Sequence, residues 1–190
     1  MKTSAATAFK YRFRAPGSQP QGDIRYAVGR TTLGLLLIGC SRNGVCAIFF
    51  DDDAQVLQEQ LAGAFPQAQL QADQAGLRHE LDCIIRFADT ELCADPIALD
   101  IGGSAFEQQV WRALCAIPAG GTRSYAAVAQ SLGMSAAARA VARACAANVL
   151  ALAIPYHRVV RSDGALSGYR WGVQRKRALL AAEAALQHAA

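Results

Sequence analysis

The adjacent glycines Gly102 and Gly103 separate two stretches that differ in hydrophobic period and in charge, and this division constrains the fold more than any other feature. Residues 1–100 carry 9 basic and 12 acidic side chains, whereas residues 101–190 carry 10 and 3, so the second stretch stands at +7. Paired glycines interrupt both helix and strand. The chain therefore predicts a flexible tail over 1–22, an α/β domain over 23–101 and a mostly helical domain over 102–190. A length of 190 residues suits one large domain or two small ones. Hydrophobic residues at 53% against 18% charged supply a core and exclude a disordered composition.

In the first stretch, residues 24–50 are rich in β-branched, aromatic and apolar side chains, broken at Thr31-Thr32 and at Arg42-Asn43-Gly44. Such breaks are turn signals, and three antiparallel strands are expected. Residues 54–64 place Leu57 and Leu61, followed by Phe65, on one helical face, and residues 75–88 carry Leu77, Leu81, Ile84, Ile85 and Phe87. These two helices should cover the sheet, and an extended piece at 96–101 leads into the glycine pair. The longest apolar run, 33–40, is too short to cross a bilayer, and the N-terminus lacks a signal-peptide core, which points to a cytoplasmic location away from membranes. Cys40, Cys46, Cys83, Cys93, Cys115 and Cys145 show no metal-ligand spacing, with or without His79. They read as small buried hydrophobes, and neither a metal nor a cofactor is expected.

The second stretch opens with Ser104 three residues before Glu107, the spacing of a capping box, followed by an apolar stripe of Phe106, Val110, Trp111 and Leu114 that ends at Pro118. Ser124 and Ser135 stand where N-caps should, before helices at 125–132 and 136–147, with Gly133-Met134 as the turn between them. This is a helix-turn-helix pattern. Its second helix presents Ala136, Ala137, Ala138, Ala140, Ala142, Ala144, Ala146 and Ala147, almost nothing with which to read bases in a major groove. A helix faced with alanine either packs closely against neighbours or presses its backbone into a minor groove. Arg139 and Arg143 share a face at i and i+4, where like charges repel unless an anion or solvent relieves them. A basic excess usually marks a solvated face, but here it also suits a polyanionic partner.

Residues 154–160 read IPYHRVV. They resemble the active-site signature of the O6-alkylguanine-DNA alkyltransferases, Pro-Cys-His-Arg followed by two aliphatic residues, with Tyr156 in place of the cysteine. The resemblance runs from about residue 24 to residue 183, is densest beyond Phe106, and is nearest to the methyl-transfer half of the bacterial adaptive-response protein. It implies an RNase H-like first domain and a winged-helix-like second one. By the same resemblance, Arg139 is the finger that enters the DNA stack, Tyr125 pushes the 3′ phosphate, and Ala138, Arg143 and Arg158 lie against DNA. Asn148 braces the active-site turn, while His157 and Glu183 are the remaining members of a Cys-His-Glu relay. The segment SDGALSGY at 162–169 resembles the guanine-binding loop, so Leu166, Ser167 and Gly168 join Tyr156 in the base pocket. The partner implied is double-stranded DNA containing O6-alkylguanine, bound by a monomer, and possible recruitment of another repair protein follows. Residues 150–154 are expected to be a buried extended segment leading to Pro155.

Tyrosine changes the chemistry at that position. Unperturbed pKa values are about 8.5 for cysteine and about 10 for tyrosine, so a phenolate is roughly 30 times rarer than a thiolate near neutrality. A phenol ring also occupies volume that the alkyl group needs, and a misplacement of about 1 Å can cost on the order of 100-fold. Three readings stay open on the sequence: a lesion sensor of the alkyltransferase-like kind, which does not transfer the alkyl group; an alkyltransferase using Tyr156 as acceptor, or a cysteine enzyme inactivated by substitution; and a helix-turn-helix regulator that extrudes no base.

Overall fold

A computed structural model describes residues 8–90, 93 and 95–188. The chain forms two compact units, one comprising Met1–Gly103 with Val149–Ala151 and the other Ser104–Asn148 with Leu152–Ala190.

The first unit is built on strands β1 (Phe9–Phe13), β2 (Ile24–Thr31), β3 (Gly34–Ser41), β4 (Gly44–Asp51), β5 (Leu70–Ala72) and β6 (Ile97–Ile101). They form one mixed sheet in the order β1-β6-β4-β3-β2-β5. The three expected antiparallel strands are its centre, β2 pairing with β3 and β3 with β4. The sheet is twice as wide as the three-stranded one expected, because β1 pairs in parallel with β6, β6 with β4, and β5 with β2. Nearly every residue of β3 and β4 is buried, a pattern that belongs to strands with neighbours on both edges. Gly44 closes the β3–β4 hairpin at φ +135°, and a Cβ there would stand 2.4 Å from the Ala98 carbonyl oxygen, so glycine is needed for both reasons.

The expected tail over 1–22 is interrupted by β1, and its residues 1–7 lie outside the described residues. Phe9 is buried while Lys10 and Arg12 point outward, the period of a strand, and Arg14 just beyond it pairs with buried Asp100 at 3.0 Å. Helix α1 (Ala54–Ala64) is capped by Asp53, whose carboxylate accepts from the Gln55 amide, and it buries Leu57 and Leu61. Helix α2 (Arg78–Thr90) begins three residues later than expected, since the Asp73 carboxylate accepts from the Gly76 amide and holds that segment as a turn. Residues 149–151 belong to this unit: the Ile48 amide donates to the Val149 carbonyl and the Ala151 amide to the Ile48 carbonyl.

The second unit is mostly helical. Helix α3 (Ala105–Cys115) starts with the full reciprocal capping box of Ser104 and Glu107. Helix α4 (Tyr125–Ser131) is capped by Ser124, whose hydroxyl oxygen accepts from the Ala127 amide. A 3-10 turn at Ser135–Ala137 leads into α5 (Ala138–Ala146), and α6 (Val173–His188) ends the unit. Ser135 caps nothing, contrary to expectation: the turn begins after Met134, whose carbonyl accepts from the Ala137 amide in a tight i to i+3 bond. Two short strands, β7 (Arg123–Ser124) and β8 (Val159–Val160), pair in parallel. The Trp111 indole donates to the Ala144 carbonyl at 2.8 Å and fixes α3 against α5.

Candidate functional site

The site grows from an irregular buried turn. Residues 151–153 are turn rather than the extended segment expected, and Leu152 takes φ +65°, the one non-glycine residue in the left-handed region among those described. Such a conformation persists only where the surroundings over-determine it. Asn148, fully buried, supplies part of that restraint by donating from Nδ2 to the Ile154 carbonyl at 3.1 Å. Pro155 follows, and Tyr156–Arg158 forms a 3-10 turn in which the Tyr156 amide donates to Ile154 at 2.7 Å and the Arg158 amide to Pro155 at 3.0 Å.

Tyr156 is 5% exposed. Its hydroxyl donates to the Gly168 carbonyl at 2.8 Å and lies 3.1 Å from the Tyr125 hydroxyl, which lies 2.6 Å from Ser167 Oγ. Lys176, with no exposed surface, donates from Nζ to Ser167 Oγ at 2.9 Å and to the Val159 carbonyl. These contacts have one consistent direction. A carbonyl only accepts, so Tyr156 spends its proton on Gly168 and must accept from Tyr125; Tyr125, its proton spent, accepts from Ser167; and Ser167 accepts from the ammonium. The result is a donor chain from Lys176 through Ser167, Tyr125 and Tyr156 to Gly168. The tyrosine ring is also held, with Lys176 Nζ 5.1 Å from its centroid and the Tyr169 ring centroid 5.5 Å away.

Burial, reinforced by the hydrogen bond with Tyr125, pushes the Tyr156 phenol well above its ordinary value of 10. Burial pulls Lys176 down to about 8. A phenolate at Tyr156 would also meet the lone pairs of Gly168, so the chain of donors favours the neutral phenol.

Behind this layer, the Glu183 carboxylate gathers three partners. His157 Nε2 donates to Oε1 at 2.7 Å, Arg158 donates to the same oxygen from Nε at 2.9 Å and Nη2 at 2.8 Å, and the Gly120 amide donates to Oε2 at 2.8 Å. Arg158 Nη1 donates in addition to the Ile117 carbonyl at 2.6 Å. Burial alone would raise the Glu183 carboxyl, but the hydrogen bond and proximity of His157, with the Arg158 guanidinium, outweigh it and hold the group at about 2. Burial lowers His157, against the pull of Glu183, so the imidazole is neutral, with Nε2 protonated toward the carboxylate. Its Nδ1 is buried and has no hydrogen-bond partner among the described residues.

Arg158, expected against DNA, is thereby corrected: it is 3% exposed and its guanidinium is taken up inside the protein. Glu183, given a place in the relay by resemblance, is buried in α6. Tyr125, Leu166 and Ser167 are half-buried and Gly168 exposed, and Tyr125, Ser167 and Gly168 belong to the donor chain that reaches Tyr156. On α5, Val141, Ala144 and Cys145 face inward, whereas Arg139 and Arg143 are exposed with Ala138 partly so, an arrangement that leaves both arginines open to an anion. Lys176 received no role from the sequence. The signal was present, since a cation in the first turn of α6 opposes the helix dipole and needs a local reason.

A family profile described as "6-O-methylguanine DNA methyltransferase, DNA binding domain" matches residues 105–185. The chain is 47% identical over 161 residues to the regulatory protein Ada of Salmonella typhimurium and 49% identical over 164 residues to the bifunctional transcriptional activator/DNA repair enzyme Ada of Escherichia coli. Each match covers 85% of this chain but 46% of the relative, so the chain spans about half the length of these curated proteins. Among solved structures, Mycobacterium tuberculosis OGT in complex with DNA superposes with a TM-score of 0.71 at 30% identity, covering 85% of this chain and 93% of that one. The α/β architecture with its mixed sheet, the profile match and the likeness to a nearly complete OGT chain establish that this chain belongs to the O6-methylguanine-DNA methyltransferase family.

Proposed function

We propose that this protein binds duplex DNA and receives an extruded O6-alkylguanine as a lesion sensor, without moving the alkyl group to itself. The observation that carries the reading is the engagement of the Tyr156 hydroxyl: it donates to Gly168 and accepts from Tyr125, while no hydrogen bond joins it to His157 among the described residues. A tyrosine acceptor needs a base to take its proton. Here the imidazole is turned to Glu183 and the phenol is held neutral, so the tyrosine-acceptor alternative lacks its activating contact.

The DNA-facing parts of the reading are α4 and α5, the helix-turn-helix pair of a winged-helix-like unit, with Arg139 as the finger and α5 laid along the minor groove. The exposed arginine pair and the alanine surface of α5 support it. Base extrusion is required because O6 lies within a stacked pair, and it costs a few kcal/mol, least for a weakened damaged pair. The alkylated guanine then meets Tyr125, Tyr156 and the loop of Leu166, Ser167 and Gly168. The first unit, RNase H-like in this reading, serves as scaffold.

The test is a pair of measurements on the purified chain. Fluorescence anisotropy should show tighter binding to a duplex bearing O6-methylguanine than to its unmodified counterpart, and incubation should leave the lesion intact and the Tyr156 peptide unmodified by mass. Equal binding to both duplexes overturns the sensor reading. Methylated Tyr156 supports the enzyme instead. Transfer by Tyr156→Cys marks the rest of the relay as competent and assigns the loss to this residue.

A further inference from the structure

Tyr156 stands where the proposed site would receive an extruded base. The residue is 5% exposed, its ring centroid lies 5.1 Å from Lys176 Nζ and 5.5 Å from the Tyr169 ring centroid, and its hydroxyl has already taken the Gly168 carbonyl and the Tyr125 proton. These are the polar groups of the loop and of α4 through which the proposed site would address a base. We infer that Tyr156 is a resident occupant of the base pocket, and that a lesion base binds by displacing the phenol from Gly168 and Tyr125. This rests on the sensor reading and adds to it what the site must give up before a base can enter.

The physical case is one of competition. A flipped base brings a flat ring and hydrogen-bonding edges; so does a phenol, and both cannot occupy one volume in a close-packed interior. Displacement must break the Tyr156 contacts with Gly168 and Tyr125 and move the ring away from that of Tyr169. The apparent affinity for a base is then the intrinsic affinity reduced by the fraction of molecules with the phenol swung out. That fraction scales every base alike, so the resident tyrosine lowers affinity overall, while the choice between lesion and normal base rests on the smaller cost of extruding a weakened pair. Directionality strengthens the hold: each hydroxyl in the chain from Lys176 polarises the next.

The experiment compares wild type, Tyr156→Phe and Tyr156→Ala, each confirmed folded by its thermal transition, on duplexes with O6-methylguanine or guanine opposite cytosine. Binding is read by anisotropy and extrusion by 2-aminopurine fluorescence beside the lesion. The inference expects lesion affinity to rise roughly tenfold or more in Tyr156→Ala, where the volume is vacated, and by less in Tyr156→Phe, where only the hydroxyl contacts are lost. If wild type prefers the lesion and Tyr156→Ala binds it no better, the sensor reading stands and the occupant inference falls, since Tyr156 then acts as a contact to the base. Lesion preference in Tyr156→Ala alone upholds the occupant and overturns the sensor reading for the natural chain. No preference in any of the three proteins overturns both.

Discussion

Arg158 Nη2 and Glu183 Oε1 lie 2.8 Å apart with both side chains buried, in an ion pair that spans 25 residues of sequence and fastens the 3-10 turn beside Tyr156 to α6. Removing one partner leaves a buried charge uncompensated, and such losses cost about 3–5 kcal/mol. Arg158→Ala and Glu183→Ala should each lower the urea midpoint by a corresponding amount. The double variant should lose much less than the sum, because both single changes break one network. A loss of DNA affinity in Arg158→Ala at unchanged stability would restore Arg158 to the DNA surface.

Acid should undo the same network. Glu183 has its folded pKa held down at about 2 from an ordinary 4.5, so its contribution is fully present above 4.5 and is lost as pH falls from there toward 2. His157 acts with the same sign at higher pH: its folded value lies below 6.5, so unfolding takes up a proton once the pH drops through 6.5. Urea unfolding followed from pH 8 to pH 2 should therefore show stability falling in two stages. In Glu183→Gln the lower stage should flatten.

Asn148 donates a buried hydrogen bond to the turn that leads to Tyr156. Truncation in Asn148→Ala leaves the Ile154 carbonyl without that donor, at a cost of about 1–3 kcal/mol, and relaxes the restraint on the left-handed Leu152. Hydrogen exchange should quicken at the Tyr156 and Arg158 amides, which close the turn, before it changes in α3.

Arg143 is exposed on the same face of α5 as Arg139. If both meet phosphate or base, Arg143→Ala should weaken binding to modified and unmodified duplex alike and reduce the slope of log K against log salt by about 0.9. Arg139→Ala should remove the preference for the lesion as well. Loss of preference in Arg143→Ala, with Arg139→Ala merely weaker, would exchange the two roles.

Much of this arrangement was legible from short-range pattern. The helix at 54–64, the capping box of Ser104 and Glu107 and the cap at Ser124 depend on neighbours within a turn, which sequence displays directly. Other features depend on residues far away. The strand Phe9–Phe13 alternates for only five residues, and its partner lies near residue 97, so composition outweighed period. Nothing local to Leu152 announces a positive φ. Arg158 looked available for DNA because its acceptors, Ile117 and Glu183, stand 41 and 25 residues away. Tyr125, Ser167 and Tyr156 were each assigned to the site by resemblance, but the order of donors among them emerges only with Gly168 and Lys176 in place.

The turn that presents Tyr156 is secured by backbone bonds to Ile154 and Pro155 and by Asn148. None of these uses the side chain at position 156. The backbone path of the turn is thus fixed independently of the residue at 156, so an exchange there is felt in the donor chain and the ring packing more than in the path of the main chain.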